Sequence, residues 1–402
     1  MSGSWASLPP EIRLQILKIV SRQEGRGFCA AVCSDLVLEL SAFSPSDLEH
    51  WFENYSIGLH AQTDGEPEQQ QEAPGRWHDP EHGWVDGRQV KRPSAMAMFR
   101  LFAPTCFSFQ ESIPEVHAVT RLIIPRECRR EITPPVLSLL LRKLPRLQTM
   151  VYEPWRSCHR FRKTGFDRMF AGSIQDALPS HVEMLSIFED PSSKLVSAMH
   201  REHPLAHPNI FQQLIDDNMA ACGELVRALV LRSCDLKHLS VSFMIDARQF
   251  LDYLQLTHYC HKLRSLLLTA SVLKRESPSW RVDSFLRDAG SFPHEMKQLE
   301  RLILWNSKQG EAYAVIYQRN RSSQRATLTR RGTWHFELNR KGVECWENVN
   351  PDFILRIEHE QLQAVVKERG DAIYHLGLSG EVIDPKSARQ LRQEELAETL
   401  AR

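Results

Sequence analysis

The pattern apolar-x-x-apolar-x-apolar recurs along the middle of this chain and constrains its fold more than any other feature. It reads Val119/Leu122/Ile124, Leu147/Met150/Tyr152 and Val182/Leu185/Ile187, then Leu236/Leu239/Val241, Leu263/Leu266/Leu268 and Leu299/Leu302/Leu304. The first positions, 119, 147, 182, 236, 263 and 299, lie 28, 35, 54, 27 and 36 residues apart. The interval of 54 is twice 27, and a weaker match, Val226/Leu229/Leu231, falls inside it. Helix signals stand between the matches. Thr133-Pro134-Pro135 opens VLSLLLRKL, Pro208 opens NIFQQLIDDNMAAC, Asp246 precedes ARQFLDYLQL and Pro278 precedes SWRVDSFLRDA. Proline is accommodated in a first helical turn, where its missing N–H would have no partner, and Asp caps that turn. A strand–helix unit of this size buries its apolar side only by stacking on its neighbours. The spacing therefore predicts an α/β body with a parallel sheet. Its strands centre near 122, 150, 185, 239, 266 and 302, and Leu122, Met150, Leu185, Leu239, Leu266 and Leu302 are expected to be buried.

These matches resemble an irregular leucine-rich repeat. The Asn or Cys that such repeats carry three residues beyond the last apolar position is replaced here, by Ser307 after Leu304 and by Met244 after Val241. An ordinary open α/β sheet is the alternative architecture.

The chain has 402 residues, enough for more than one domain or one elongated body. Fifty basic residues balance fifty acidic ones, which excludes a protein that coats nucleic acid through bulk charge. The densest apolar run, VLSLLL at 136–141, is far too short for a membrane span. The opening MSGSWASLPPE lacks the basic and apolar regions of a secretory signal. The nine cysteines, at 29, 33, 106, 128, 158, 222, 234, 260 and 345, are odd in number, scattered and without C-x-x-C. Reduced thiols in a cytoplasmic or nuclear protein are expected.

The ends differ from the middle. Leu8-Pro9-Pro10-Glu11 starts a helix whose apolar stripe is Ile12, Ile16, Leu17 and Val20. Gly25 and Gly27 stop it, and a second short helix follows at 28–35. This stretch resembles an F-box, the helical module that docks on the Skp-type adaptor of cullin ubiquitin ligases. The matching residues are Leu8, Pro9, Ile12, Ile16, Leu17 and Val32-Cys33. The pattern gives out near Asp35, and Leu36–Leu40 alternates like a strand, so the module is a truncated one. SPSDLEHWF at 44–52 reads as a capped helix, and the polar stretch 61–76 as a disordered insertion within about 60–80. Beyond the body, AYAVIY (312–317), 326–329 and TWHFEL (333–338) read as an antiparallel meander. Helices are expected at 340–349 and 359–369, with a strand FILRIEH between them and a charged helix or tail from 387.

The expected organisation is thus 1–35 F-box-like, 36–310 α/β repeat-like body, 311–385 C-terminal strands and helices, and 386–402 charged tail. The whole chain resembles a family of uncharacterised fungal proteins with an F-box-like LPPEIRL start and an α/β body. Its landmarks here include EHGWVDG (81–87), LPRLQTMVYEPWR (144–156), LERLILWN (299–306) and GDAIYHLGL (370–378). That resemblance implies a fold and carries no assigned activity.

Chemistry is sparse. G-x-G-x-x-G, Walker A, G-x-S-x-G and H-E-x-x-H are absent, and Ser271-x-x-Lys274 lacks its partner motifs. Among His200, His203 and His207, Pro204 and Pro208 break any regular face, while in the group His258, Cys260 and His261 the last two are adjacent and diverge on a helix. Neither group offers the convergent ligands that zinc needs. No catalytic residue, no metal and no other cofactor is expected. Tyr152-Glu153-Pro154-Trp155-Arg156 follows a parallel strand, where α/β ligand sites gather, although buried aromatic residues with a bonded edge are the commoner outcome. Arg319, Arg321, Arg325, Arg330 and Arg331 form an acid-free cluster that suits an acidic partner; nucleic acid and membrane are not expected.

The reading that follows is a non-enzymatic interaction protein. Leu8, Pro9, Ile12, Ile16, Leu17 and Val20 would contact a Skp-type adaptor, and the α/β body would select an unidentified target protein. The alternative is a binding or scaffold protein of the same fold with no ligase link.

Overall fold

The computed structural model describes residues 36–40, 84–85, 88–89, 104, 113–128, 131–156, 160–190, 222–257, 261–349 and 353–400. The F-box-like segment with Leu8, Pro9, Ile12, Ile16, Leu17 and Val20 lies outside them, as do the helices expected at 44–52 and after Pro208 and the insertion at 60–80.

Twelve strands are present among the described residues. The first three are β1 (Leu36–Glu39), β2 (Trp84–Val85) and β3 (Arg88–Gln89). The repeat supplies β4 (Val119–Ile124), β5 (Thr149–Tyr152), β6 (Met184–Phe188), β7 (His238–Ser242), β8 (Ser265–Thr269) and β9 (Arg301–Lys308). β10 (Glu311–Asn320), β11 (Arg325–Gly332) and β12 (Ile354–Gln361) follow. β2 and β3 pair only with each other; the other ten form one mixed sheet in the order β1-β4-β5-β6-β7-β8-β9-β10-β11-β12. Neighbours from β1 to β9 are parallel, β10 runs antiparallel to both β9 and β11, and β12 is again parallel to β11. The C-terminal strands extend the sheet that the repeat began.

Register explains why the repeat specifies this sheet. The middle apolar position of each match faces that of the next. One row therefore runs Leu38, Leu122, Met150, Leu185, Leu239, Leu266, Leu302, Tyr317, Leu328 and Ile357. The expected six lie at 1% exposure or less. A slip of one residue would turn this whole row to the other face, so the apolar pattern fixes the pairing.

Eight helices are described: α1 (Pro134–Leu141), α2 (Arg160–Gly172), α3 (Gly223–Ser233), α4 (Ala247–Thr257), α5 (Ser279–Glu295), α6 (Arg340–Glu347), α7 (Arg369–Leu376) and α8 (Pro385–Leu400). Thr133, Asp246 and Pro278 precede α1, α4 and α5 as the sequence signals require, and Asp246 Oδ1 accepts from Arg248 N at 2.8 Å. Side chains of α1 to α6, among them Leu137, Phe170, Leu229, Phe250, Phe285 and Trp346, share one core with the ladder row. Strands succeed one another in space in chain order with those helices on one face, so the sheet is wound in a single direction. The opposite face has its own core, where Phe188, Phe243, Leu267, Ile303 and Trp305 meet Ile373 and Leu376 of α7 and Leu391 of α8.

Three elements depart from the sequence expectation. Val226/Leu229/Leu231 lies in α3, not in a strand: Leu225, Val226, Leu229 and Val230 form its buried side and Leu231 is exposed. Helical spacing and the strand pattern coincide over six residues, and burial of a whole helix face decides. Residues 333–338 keep alternating burial, with Trp334 and Phe336 inside, but make no strand ladder. β11 stops at Gly332, where a Cβ would lie 2.8 Å from the Ala312 carbonyl oxygen, and the chain turns away. The helix expected at 359–369 starts only at Arg369; residues 354–361 pair with β11 over eight positions, and that pairing overrides local helix propensity.

Candidate functional site

Because β4, β5, β6 and β7 are parallel, the residues that follow each of them collect at one edge. Arg126 follows β4, Glu153 and Arg156 follow β5, Glu189 and Asp190 follow β6, and Phe243 follows β7. Glu189 N–H donates to the Ser242 carbonyl at 3.0 Å and Asp190 N–H to the Pro154 carbonyl at 2.9 Å, which sets the three ends side by side.

Their charged side chains pair with one another. Arg156 Nε donates to Glu189 Oε2 at 2.8 Å, and its Nη2 reaches the Phe243 carbonyl oxygen. Lys163 of α2 donates to Asp167 one turn on, and lies 3.0 Å from Glu189 Oε1. Arg126 Nε bonds Asp190, whose other oxygen lies 3.6 Å from Arg369 Nη1. Arg126 also lies 4.3 Å above the Trp155 ring, and Trp155 Nε1 donates to the Arg126 carbonyl at 2.7 Å. Every one of these ions except Arg369, which is 20% exposed, has a side chain at most 7% exposed. Burial raises the pKa of the Asp167 carboxyl, and the neighbouring Lys163 charge opposes that rise.

Phe243 holds φ at 62°, in the left-handed region that bulky side chains rarely adopt. Its N–H donates to Thr269 Oγ1 at 3.0 Å, its carbonyl receives Arg156, and its ring packs on Trp305 at 5.0 Å and under Arg369 at 3.9 Å. Contacts on all sides over-determine this backbone, the condition under which such strain persists.

Glu153 ties the C-terminal segment to this edge. Its Oε2 accepts from Arg126 N at 3.0 Å and its Oε1 from Asp384 N, at the entrance to α8, at 2.7 Å. Ser387 bonds it as well, and Lys386 reaches Glu39 at 2.9 Å and Glu127 at 3.1 Å. Burial pushes the Glu153 carboxyl up to about 7, against the bonds from Ser387, Asp384 and Arg126 that favour its charged form. A carboxyl whose folded pKa lies above its unfolded one favours folding most at low pH and loses that contribution as pH rises through the folded value. Between pH 5.5 and 8 the loss is about 2 kcal/mol. Urea unfolding at both pH values should show wild type losing that much relative to Glu153→Gln; parallel pH dependence of the two proteins would refute it.

The sequence motif Tyr152–Arg156 is thus part of this network. Tyr152 is core, with its hydroxyl 3.5 Å from the Ile132 carbonyl. Arg126, Lys163, Asp167, Glu189 and Asp190 were not singled out from sequence. For Arg126, Glu189 and Asp190 the signal is a charge placed directly after an apolar strand, in IIPR and SIFED, and it becomes meaningful only once the strands are known to be parallel; Lys163 and Asp167 lie on α2 and carry no such signal.

The arginine cluster is divided by the fold. Arg319 is buried, and its Nη2 donates to the Lys297 carbonyl at 2.6 Å; Arg321 reaches the same oxygen at 3.1 Å. Arg330 bonds the Phe336 carbonyl on the helix side, while Arg331 bonds Glu360 and the Leu376 carbonyl on the other. Arg325 is exposed at the start of β11. No group of three or more His, Cys, Asp or Glu residues suited to a metal ion occurs among the described residues, and no helix there is long and apolar enough to cross a membrane. His200, His203, His207, His258 and Cys260 lie outside those residues.

A singly wound, mostly parallel sheet with a buried charge network at its carboxyl edge defines an α/β protein whose strand ends are locked together. The chain belongs to a family of unknown function, DUF6546, which it matches over residues 177–384, from the end of the π-helical turn after α2 to the entrance of α8. No curated protein and no solved structure matches it.

Proposed function

We propose that this chain is a non-enzymatic interaction protein, in which the F-box-like segment 1–35 recruits a Skp-type adaptor and the α/β body selects a target for the attached ubiquitin ligase. The observation that carries the non-enzymatic half is the state of the strand-end ions. At the edge where α/β proteins place their reactive groups, Arg156, Lys163, Asp167 and Glu189 bond one another in the interior. Groups so engaged position the backbone of the loops above them and hold a fixed surface. The single winding direction supports the leucine-rich-repeat-like reading of the body, since such stacks present a rigid surface built from successive units. The adaptor half rests on the sequence: Ile12, Ile16, Leu17 and Val20 form an apolar stripe, opened by Leu8 and Pro9, that needs a cover, and a helix in a groove depends on a few such anchors.

The test is coprecipitation with a Skp-type adaptor. Full-length protein is expected to bind, and both a chain lacking residues 1–27 and the double variant Leu8→Ala, Pro9→Ala to lose binding. Failure of the full chain to bind refutes the ligase role and leaves a scaffold of the same fold.

A further inference from the structure

A second feature of the carboxyl edge stands apart from the ion network. The connection from β8 to α5 and the one that leaves β11 border an open cleft of about 440 Å³, a volume within the range of small-ligand sites. Arg275, Ser277 and Ser279 line one wall; Trp334, His335 and Phe336 line the other. Thr333 and Gln361, at the end of β12, complete a lining that contains no acidic residue.

The Arg275 side chain is held at the rim. Its Nη2 donates to the Thr333 carbonyl at 3.3 Å, and its backbone N–H donates to Glu311 Oε2 at 3.0 Å. Among the described residues no carboxylate lies within 4 Å of its guanidinium, whereas Arg248, Arg301, Arg331 and Arg340, for example, each have one there. Four donors of that guanidinium remain for a guest. Ser277 and Ser279 line the same cleft at the start of α5, a helix of 17 residues whose N-cap position is Pro278 and carries no side-chain cap. The Ser279 and Trp280 N–H groups precede the first intrahelical bonds, which run from Arg281 and Val282 to the Pro278 carbonyl. Trp334 is 8% exposed and its Nε1–H has no acceptor among the described residues. Its ring is fixed by stacking on Tyr313 at 4.2 Å, with Phe336 edge-on at 6.3 Å. A guanidinium and two serines beside a rigid aromatic wall match a ligand with an oxyanion head and a short apolar body.

We propose that this cleft binds a small organic oxyanion, its phosphate or carboxylate held by Arg275 and the Ser277 and Ser279 hydroxyls and its organic part placed against Trp334 and Phe336. The site is independent of the adaptor-binding role of the N-terminus. Recognition of an oxyanion by a guanidinium is charge-assisted and bidentate where geometry allows, so most of the affinity should pass through Arg275.

Calorimetric titration of the full chain with phenyl phosphate, benzoate, inorganic phosphate and phenol tests it. Phenyl phosphate or benzoate is expected to bind saturably at one site with a Kd of about 1 mM or tighter. Inorganic phosphate should bind more weakly and phenol not at all. Arg275→Ala should weaken binding at least about tenfold, and Arg275→Lys should fall between the two. Ser277→Ala, which leaves the Arg275–Thr333 contact in place, should weaken it to a smaller extent and serves if Arg275→Ala does not fold. Absence of saturable binding by either organic anion, or binding that Arg275→Ala and Ser277→Ala leave unchanged, would overturn the proposal.

Discussion

Arg156→Met should destabilise this protein by about 3–5 kcal/mol, the cost of leaving a buried charge without its partner. Arg156 is the hub of the strand-end network: it bonds Glu189 at 2.8 Å and holds the carbonyl of Phe243, whose φ of 62° depends on its surroundings. Without it, Glu189 keeps only Lys163 among the described residues, and Asp167 also shares that lysine. The double variant Arg156→Met, Glu189→Met removes both ions, leaves the Lys163–Asp167 pair whole and should recover a large part of the loss, because buried ion pairs contribute little net stability relative to apolar residues of similar volume. Urea unfolding of wild type, single and double variants measures both. If the single variant loses less than about 1 kcal/mol, water reaches Glu189 and the network is not the dry one described. If the double variant is as damaged as the single, the harm comes from lost packing at the β5 and β6 ends rather than from an unpaired charge.

Leu266→Ala should cost about 2–5 kcal/mol, the range for emptying a fully buried leucine site. Leu266 is the second residue of β8, registered between Leu239 and Leu302 in the row that crosses the sheet, and it is fully buried. Helices pack above that row, so the gap cannot close by a surface shift. Leu231→Ala is the matched control. Leu231 belongs to the weaker sequence match but projects outward from α3 with 44% exposure, and its loss should stay within about 0.5 kcal/mol. Equal losses at the two positions would mean that the register of the sheet is wrong or that Leu231 is covered by residues beyond those described.

The repeat made the core legible because a strand buried on both faces must be apolar along its length, and its partner must match it row by row. Leu122, Met150, Leu185, Leu239, Leu266 and Leu302 could therefore be picked from spacing alone. Helix starts were legible for a similar reason: the signals at Thr133, Asp246 and Pro278 are local, and Asp246 accepts from a backbone N–H two residues on. Where two periodicities share the same few residues, local pattern is undecided. Leu225 to Leu231 fits strand and helix alike, and only burial of the Leu225, Val226, Leu229 and Val230 side against the core selects α3.

The charge network was not legible, because no sequence spacing marks it. Arg126 and Asp190 are 64 residues apart, and Glu153 and Asp384 are 231 apart. The arginine cluster erred in the opposite direction. It is compact in sequence, but strand alternation sends Arg330 and Arg331 to opposite faces, where Arg330 bonds the Phe336 carbonyl and Arg331 bonds Glu360 and the Leu376 carbonyl. The cleft likewise joins residues from two connections more than fifty positions apart, and Arg275 gains meaning only from what lies beside it.

By itself, then, the sequence determined the positions of the parallel strands and the residue of each that is buried at its centre, because burial of apolar residues is periodic along the chain. Only the tertiary structure decided which charges meet, which arginines are consumed internally and where a cleft opens, because electrostatic partners are chosen by distance in space, and distance in space follows from the order in which the strands stack.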